Sequence, residues 1–300
     1  GLVEQRFATI LATKRAFYDV LRADELIRAA QARLRRAEEA LEAAERRAEV
    51  GSGTRSDILR ARLELAQARR AVLEAETGKT TAAYNLGRLI GRAGPVAARG
   101  TGPAEPAPLA LTDAELERLV VERAPSVVAA TAALRAAEAS ADVARAQYLP
   151  SLRLTSGYNW FNPDPRLDGG RTSWSLRLGL SYPLFNGFQR EENAARASAN
   201  ARAARARLED ARRAAVSELH RLLAALRLAE QQIALSREAV EVAAEDLRVQ
   251  QERYRLGAST ILDLMASQAA LADAELNLVA ARYDYQLARS ELEALAGREL

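Results

Sequence analysis

Five stretches of this chain, 2–50, 56–90, 113–148, 187–255 and 260–296, are dominated by Ala, Leu, Arg and Glu and hold almost no proline or glycine. These residues are strong helix formers, so very long helices are predicted. With a rise of about 1.5 Å per residue, the stretch 187–255 makes a rod of roughly 100 Å, against a usual helix of about 11 to 12 residues. A lone helix of that length cannot bury its apolar stripe, so it needs neighbours. Apolar positions recur at spacings of three and four: Leu222, Leu226, Ala229, Ile233, Val240, Ala244 and Leu247, then Leu262, Met265, Ala269, Leu276 and Val279. This is a coiled-coil-like seam. Alanine at many seam positions lets backbones approach closely, as in a curved wall of helices.

The chain also repeats itself without a gap at an offset of 206 residues. Leu41, Arg47, Gly51, Thr54, Asp57, Leu65 and Leu86 recur as Leu247, Arg253, Gly257, Thr260, Asp263, Leu271 and Leu292. Residues 1–91 and 207–297 therefore read as two copies of one helical hairpin. A Gly/Pro-rich linker follows the first at 92–112, with Gly94-Pro95, Gly102-Pro103, Pro106 and Pro108. A helix at 113–148 and the segment 149–186 come before the second hairpin, which closes the chain at 187–300.

In 149–186 the period changes from about 3.6 to 2. Leu152, Leu154, Tyr158 and Trp160 alternate with Ser151, Arg153, Thr155, Gly157 and Asn159. After the turn-rich Asn162-Pro163-Asp164-Pro165 and Asp168-Gly169-Gly170, the residues Trp174, Leu176, Leu178, Leu180 and Tyr182 alternate with Ser173, Ser175, Arg177, Gly179 and Ser181. A β-hairpin with one apolar and one polar face is predicted, each strand about the 9 to 11 residues that cross a bilayer at a tilt. Trp160 and Trp174 fall towards one interface and Tyr148 and Tyr182 towards the other, as an aromatic girdle requires. Arg153 and Arg177 lie on the polar face, where they line a lumen or are simply solvated. Pro150 and Pro183 stand where helix and strand exchange.

Tyr148-Leu149-Pro150-Ser151-Leu152, the run from Trp174 to Pro183-Leu184-Phe185-Asn186-Gly187, two copies of Gly-x-x-Thr-x-x-Asp, Arg253-Tyr254, and the closing Ala-Arg-Tyr-Asp-Tyr at 281–285 together resemble the TolC-type outer-membrane efflux proteins. The resemblance covers essentially the whole chain. It implies a mainly α fold of long antiparallel coiled-coil-like helices forming an α-barrel, with the hairpin contributing to a trimeric outer-membrane β-barrel. It also implies a homotrimer in outer-membrane lipid, with its mass largely in the periplasm, docked to a periplasmic adaptor protein and an inner-membrane transporter for efflux or type I secretion. Family members carry a further helix and hairpin at the front. Roughly 90 residues encoding them are therefore expected before Gly1 in the natural protein, and a twelve-stranded barrel needs them.

The paired turns have two readings. In one, Gly51 and Gly257 end the incoming helices in a left-handed conformation, while Thr54 and Thr260 cap the next helices with Asp57 and Asp263 at the third helical position. In the other, they form the periplasmic tip, where three copies of Asp263 ring a pore and favour cations. The family's gate uses a Tyr, an Arg and Asp residues in the second-copy turn. Tyr254 and Asp263 match the Tyr and the first Asp, whereas Ser259 replaces the Arg and Ala266 the second Asp, which removes links from a charged lock.

Other chemistry is sparse. No catalytic set, cofactor motif or metal-ligand cluster emerges, and His220 reads as a helix-face residue. Cysteine is absent, which excludes disulfides and thiolate sites. No window reaches the roughly 20 apolar residues of a membrane-spanning helix. The start, Gly1 to Arg6, lacks the pattern of a signal peptide. Charges of both signs are interspersed to a net of +3, so nucleic acid is not an expected partner. The main alternative is a soluble structural coiled-coil protein, but such a rod has no reason to present Trp160, Trp174 and three leucines on one open face.

Overall fold

A computed structural model describes residues 2–100, 105–162 and 170–298. Six helices and two strands follow in order: α1 (Leu2–Glu49), α2 (Arg55–Leu89), α3 (Asp113–Arg123), α4 (Pro125–Ala146), β1 (Ser151–Phe161), β2 (Arg171–Ser181), α5 (Gln189–Arg255) and α6 (Ile261–Ala296). The chain is mainly α with one antiparallel hairpin, as the composition demands. It divides into a helical unit, residues 1–125 and 214–300, and a second unit, residues 126–213.

The predicted helix at 113–148 is two helices. Thr112 caps α3 through a reciprocal pair of bonds with Glu115, and Ala124 then leaves the helical region at φ −53°, ψ 134°. Pro125 explains the break: its ring disfavours helical geometry in the residue before it, while its own fixed φ suits the first position of α4. The turn residues Pro163 to Gly169, and Gly102-Pro103 of the linker, lie outside the described residues.

In the helical unit, α1 packs against α2 and α6. One cluster joins Ala40 of α1 to Leu247, Tyr254, Ile261, Leu264 and Leu271. Others join Ala37 to Leu65 and Ala68, and Leu21 to Val279 and Tyr283. Alanine on α1 brings these backbones close enough for larger side chains opposite to fill the gap. The seam on α5 is as read, with Leu222, Leu226, Ala229, Ile233 and Leu247 buried, but Ala244 is exposed. On α6 the spacing was right and the face wrong in part. Leu262, Ala269 and Leu276 are exposed, whereas Ile261, Leu264, Gln268, Leu271 and Ala272 are buried. A 3.6 period fixes the spacing of a stripe, and the neighbouring helices choose its phase.

The linker folds back on the helical bases. The backbone N–H of Val96 donates to the Ala83 carbonyl, and the Tyr285 hydroxyl both accepts from the Ala107 N–H and donates to its carbonyl. Gly87 is required here, because a Cβ would lie 2.2 Å from the Gly94 carbonyl oxygen.

In the second unit β1 and β2 pair in the register Leu152↔Leu180, Leu154↔Leu178 and Tyr158↔Trp174 on one face, and Arg153↔Gly179 and Thr155↔Arg177 on the other. The predicted two-faced ribbon is therefore present. Its apolar face is open, with Leu152, Leu154, Leu176, Leu178 and Leu180 each 56–72% exposed.

Candidate functional sites in the paired turns and the hairpin

The two turns share one local geometry. Gly51 (φ 75°) and Gly257 (φ 78°) hold the left-handed conformation that side-chain-bearing residues resist. In the first, Gly51 N–H donates to Ala48 C=O and Ser52 N–H to Arg47 C=O. In the second, Gly257 N–H donates to Tyr254 C=O and Ala258 N–H to Arg253 C=O. These paired bonds satisfy carbonyls that a helix end otherwise leaves open. Thr54 then accepts from the Asp57 N–H while Asp57 accepts from the Thr54 N–H, and Thr260 and Asp263 repeat the exchange. The capping reading of Gly51, Thr54, Asp57, Gly257, Thr260 and Asp263 therefore holds in the structure. Bonds from the Thr260 backbone and then its hydroxyl hold the Asp263 carboxyl below its ordinary value. That carboxylate remains on the surface.

The turns differ in what they reach. Arg47 donates one guanidinium N–H to the Ser52 carbonyl of its own turn at 3.1 Å and another to the Tyr254 carbonyl of the second repeat at 2.6 Å. Its guanidinium carbon also lies 4.4 Å from the centroid of the Tyr254 ring. The matching Arg253 donates to its own Ala258 carbonyl at 3.4 Å. Tyr254 is 3% exposed, and its hydroxyl finds no hydrogen-bond partner of good geometry. Burial pushes its phenol pKa up. The Ser259 hydroxyl turns back to the Gln250 carbonyl at 3.5 Å, so within the chain it does not do the work of a charged link. Arg47 was visible in the sequence only as a repeated residue. That it bridges the repeats depends on tertiary packing, which has no local signature.

On the hairpin, Trp160, Tyr158 and Trp174 cluster at the turn end and Tyr182 at the base, with Tyr148 beside it. Trp174 donates from its indole N–H to the Ser156 hydroxyl at 3.3 Å. At the base, Arg190 lies 5.3 Å from the Tyr148 ring and 5.9 Å from that of Tyr182, and donates to the Pro183 carbonyl. This cationic brace across the strand-to-helix junction was not read from the sequence. Arg153 and Arg177 sit on the polar face, as read. Gly187 (φ 65°) and Phe188 (φ 63°) make the sharp turn into α5. His220 is an exposed position on α5. Among the described residues no cluster of His, Cys, Asp and Glu could hold a metal ion, and no helix is long and apolar enough to cross a membrane.

Comparison with known proteins places this architecture. The sequence matches the outer membrane efflux protein family over residues 3–92 and 117–298. Protein CyaE of Bordetella pertussis is 30% identical over 259 residues, which cover 84% of this chain and 54% of that protein. The probable efflux pump outer membrane protein TtgC of Pseudomonas putida is 24% identical over 92% of this chain and 58% of its own length. The chain thus spans somewhat more than half the length of these relatives. The crystal structure of the outer membrane protein VceC from Vibrio cholerae superposes with a TM-score of 0.81 at 22% identity, over 99% of this chain and 71% of that one. That likeness is one of fold. The repeated hairpins, the two-faced ribbon and the family match agree, and the chain belongs to the outer membrane efflux protein family, whose place is the outer membrane.

Proposed function

We propose that this chain is a channel-forming subunit that trimerises into a passive exit duct for an efflux or type I secretion system, working with a periplasmic adaptor and an inner-membrane transporter. The observation that carries the reading is the hairpin: two strands of 11 residues each, with one face that is apolar and open apart from Ser156 and Thr172. A two-stranded ribbon exposing that face is not stable in water, whereas in a bilayer it closes with further strands into a barrel. The name of TtgC supports an efflux role.

In this reading Tyr148, Tyr182, Trp160 and Trp174 are girdle residues against lipid, and Arg153 and Arg177 line the lumen. The paired turns form the periplasmic tip. Asp263 serves there both as a cap and as one of three carboxylates around the pore, and Tyr254 packs the closed state where Ser259 provides no charge.

Single-channel recording in planar bilayers, with the mass of the detergent-solubilised particle, tests this. With the protein as naturally encoded, conductance steps and a mass three times that of one protomer, plus detergent, are expected. Asp263→Asn should reduce the preference for cations and any block by multivalent cations. A stable monomer with intact helicity and no conductance would overturn the proposal. Selectivity unchanged by Asp263→Asn would leave that residue as a cap only.

A further inference from the structure

The junction between the hairpin and α5 holds a cation with unused donors. Arg190 is enclosed, its side chain 12% exposed. Its Nη1 donates to the Pro183 carbonyl at 3.2 Å, and the rings of Tyr148 and Tyr182 lie within cation–π reach. Nε is buried and finds no acceptor of good geometry among the described residues. Nη2 stands 4.0 Å from a carboxylate oxygen of Glu191, beyond hydrogen-bond distance. An enclosed guanidinium normally fills its donors, because an unmet one is costly away from water. Bracing the junction therefore does not account for all of this side chain.

The surroundings suit an amphiphile. Arg190 walls a cavity of about 460 Å³ together with Val143, Gln147, Leu149, Ser151 and Asn186. At the same end, the apolar face of the ribbon begins with the pair Leu152↔Leu180, both exposed. In the connection to α5, Leu184, Phe185 and Phe188 are 70–85% exposed, and the two phenylalanine rings meet edge to face. Phe188 keeps a left-handed φ of 63°, which a bulky residue resists, so backbone strain accompanies an uncovered aromatic ring. Charge of the opposite sign is at hand too. Glu192 is taken up by Arg196, whereas Glu191 presents an accessible carboxylate beside the guanidinium.

We infer that this junction binds the headgroup of a zwitterionic phospholipid with a primary ammonium, the phosphate going to Arg190 and the ammonium to Glu191. This rests on the membrane reading proposed above and deepens it by naming the lipid. Nε and Nη2 form one edge of the guanidinium, the arrangement that takes two phosphate oxygens at once. A turn of the side chain towards the cavity it walls brings Nε into reach. The acyl chains then run along Leu152 and Leu180 towards Leu154 and Leu178, and Leu184, Phe185 and Phe188 sit at the level of the headgroups. A purely anionic headgroup is repelled by Glu191, and a trimethylated ammonium has no N–H to give it, so both bind less tightly.

The protein as naturally encoded, purified in detergent and stripped of lipid, is titrated by native mass spectrometry. The probes are phosphatidylethanolamine, phosphatidylglycerol and phosphatidylcholine with the same acyl chains, and inorganic phosphate. Phosphatidylethanolamine should bind most tightly. Arg190→Gln should weaken it by about tenfold, as expected for losing hydrogen bonds from a charged donor, and Arg190→Lys should recover part of the loss. Glu191→Gln should abolish the preference for phosphatidylethanolamine over phosphatidylglycerol without weakening the latter. The Glu191 side chain is 46% exposed, so this variant decides the matter even where Arg190→Gln misfolds, which far-UV circular dichroism checks. Equal affinity for the three lipids, unchanged in the variants, would leave Arg190 as a brace and overturn the inference. Inorganic phosphate that binds as tightly as the lipid would overturn it as well. A parent protein that fails to enter phospholipid vesicles would instead overturn the membrane reading on which it stands.

Discussion

The two turns are near copies in backbone and unlike in reach. Both end a helix at a left-handed glycine and start the next with a reciprocal Thr–Asp cap. Arg47 uses that shared frame to hold the other repeat by a hydrogen bond and a ring contact, whereas Arg253 bonds the Ala258 carbonyl of its own turn. Duplication thus preserved what is local and left the long-range contact to diverge. The residue after the arginine differs, Ala48 in the first copy and Tyr254 in the second, so only the second copy offers a ring to the arginine of the other, while the carbonyl that Arg47 bonds is backbone.

The largest test of this comparison is to remove each arginine. Arg47→Ala should cost about 2 to 3 kcal/mol, the sum of a charged hydrogen bond and a partly buried cation–π contact, while Arg253→Ala should cost less than about 0.5 kcal/mol, as expected at an exposed site. Thermal unfolding of the full chain followed by circular dichroism measures both. Equal costs would mean that the bridge to Tyr254 contributes nothing.

A smaller effect should be the same in both copies. Thr54→Ala and Thr260→Ala each remove a cap and should each cost about 1 kcal/mol; a clear inequality would show that the local frames are not equivalent. The Asp263 carboxyl, held below its ordinary value of 3.8, adds a pH dependence. A depressed folded pKa stabilises fully above the ordinary value, and the contribution is lost as pH falls through the lowered one. The gap between parent and Asp263→Asn should therefore stay constant from neutrality down to about the ordinary value and close as pH falls from there through the lowered one.

The smallest effect is expected at Tyr254→Phe. It deletes a buried hydroxyl that has no partner of good geometry among the described residues and keeps the ring under Arg47, so stability should shift by no more than about 0.5 kcal/mol in either direction. A loss beyond about 1 kcal/mol would reveal a bond to that hydroxyl which the structure lacks.

What was legible in the sequence follows the same division between local and distant. The long helices, the caps at Thr54 and Thr260 and the two faces of the hairpin are each encoded in local sequence, and each is present. The break at Ala124-Pro125 was missed because strong helix formers on both sides outweighed one proline. Leu262, Ala269 and Leu276 were put on the buried face because periodicity gives the spacing of a stripe but not its phase. Arg47 over Tyr254, and Arg190 between Tyr148 and Tyr182, join residues from different elements, and nothing in the neighbouring sequence names such partners.

The open ribbon of β1 and β2 also imposes an order in time. Helices such as α1 and α2 bury alanine and leucine against each other as soon as both are synthesised, and local contacts of this kind form quickly. Among the described residues nothing covers the ribbon's apolar face. In the proposed channel its leucines and tryptophans stay uncovered until neighbouring strands and lipid arrive, and through that interval they are a site for wrong pairing. Maturation should then be limited by an encounter between molecules. The waiting time of the hairpin should shorten with subunit concentration, while the helices form at a rate that ignores it.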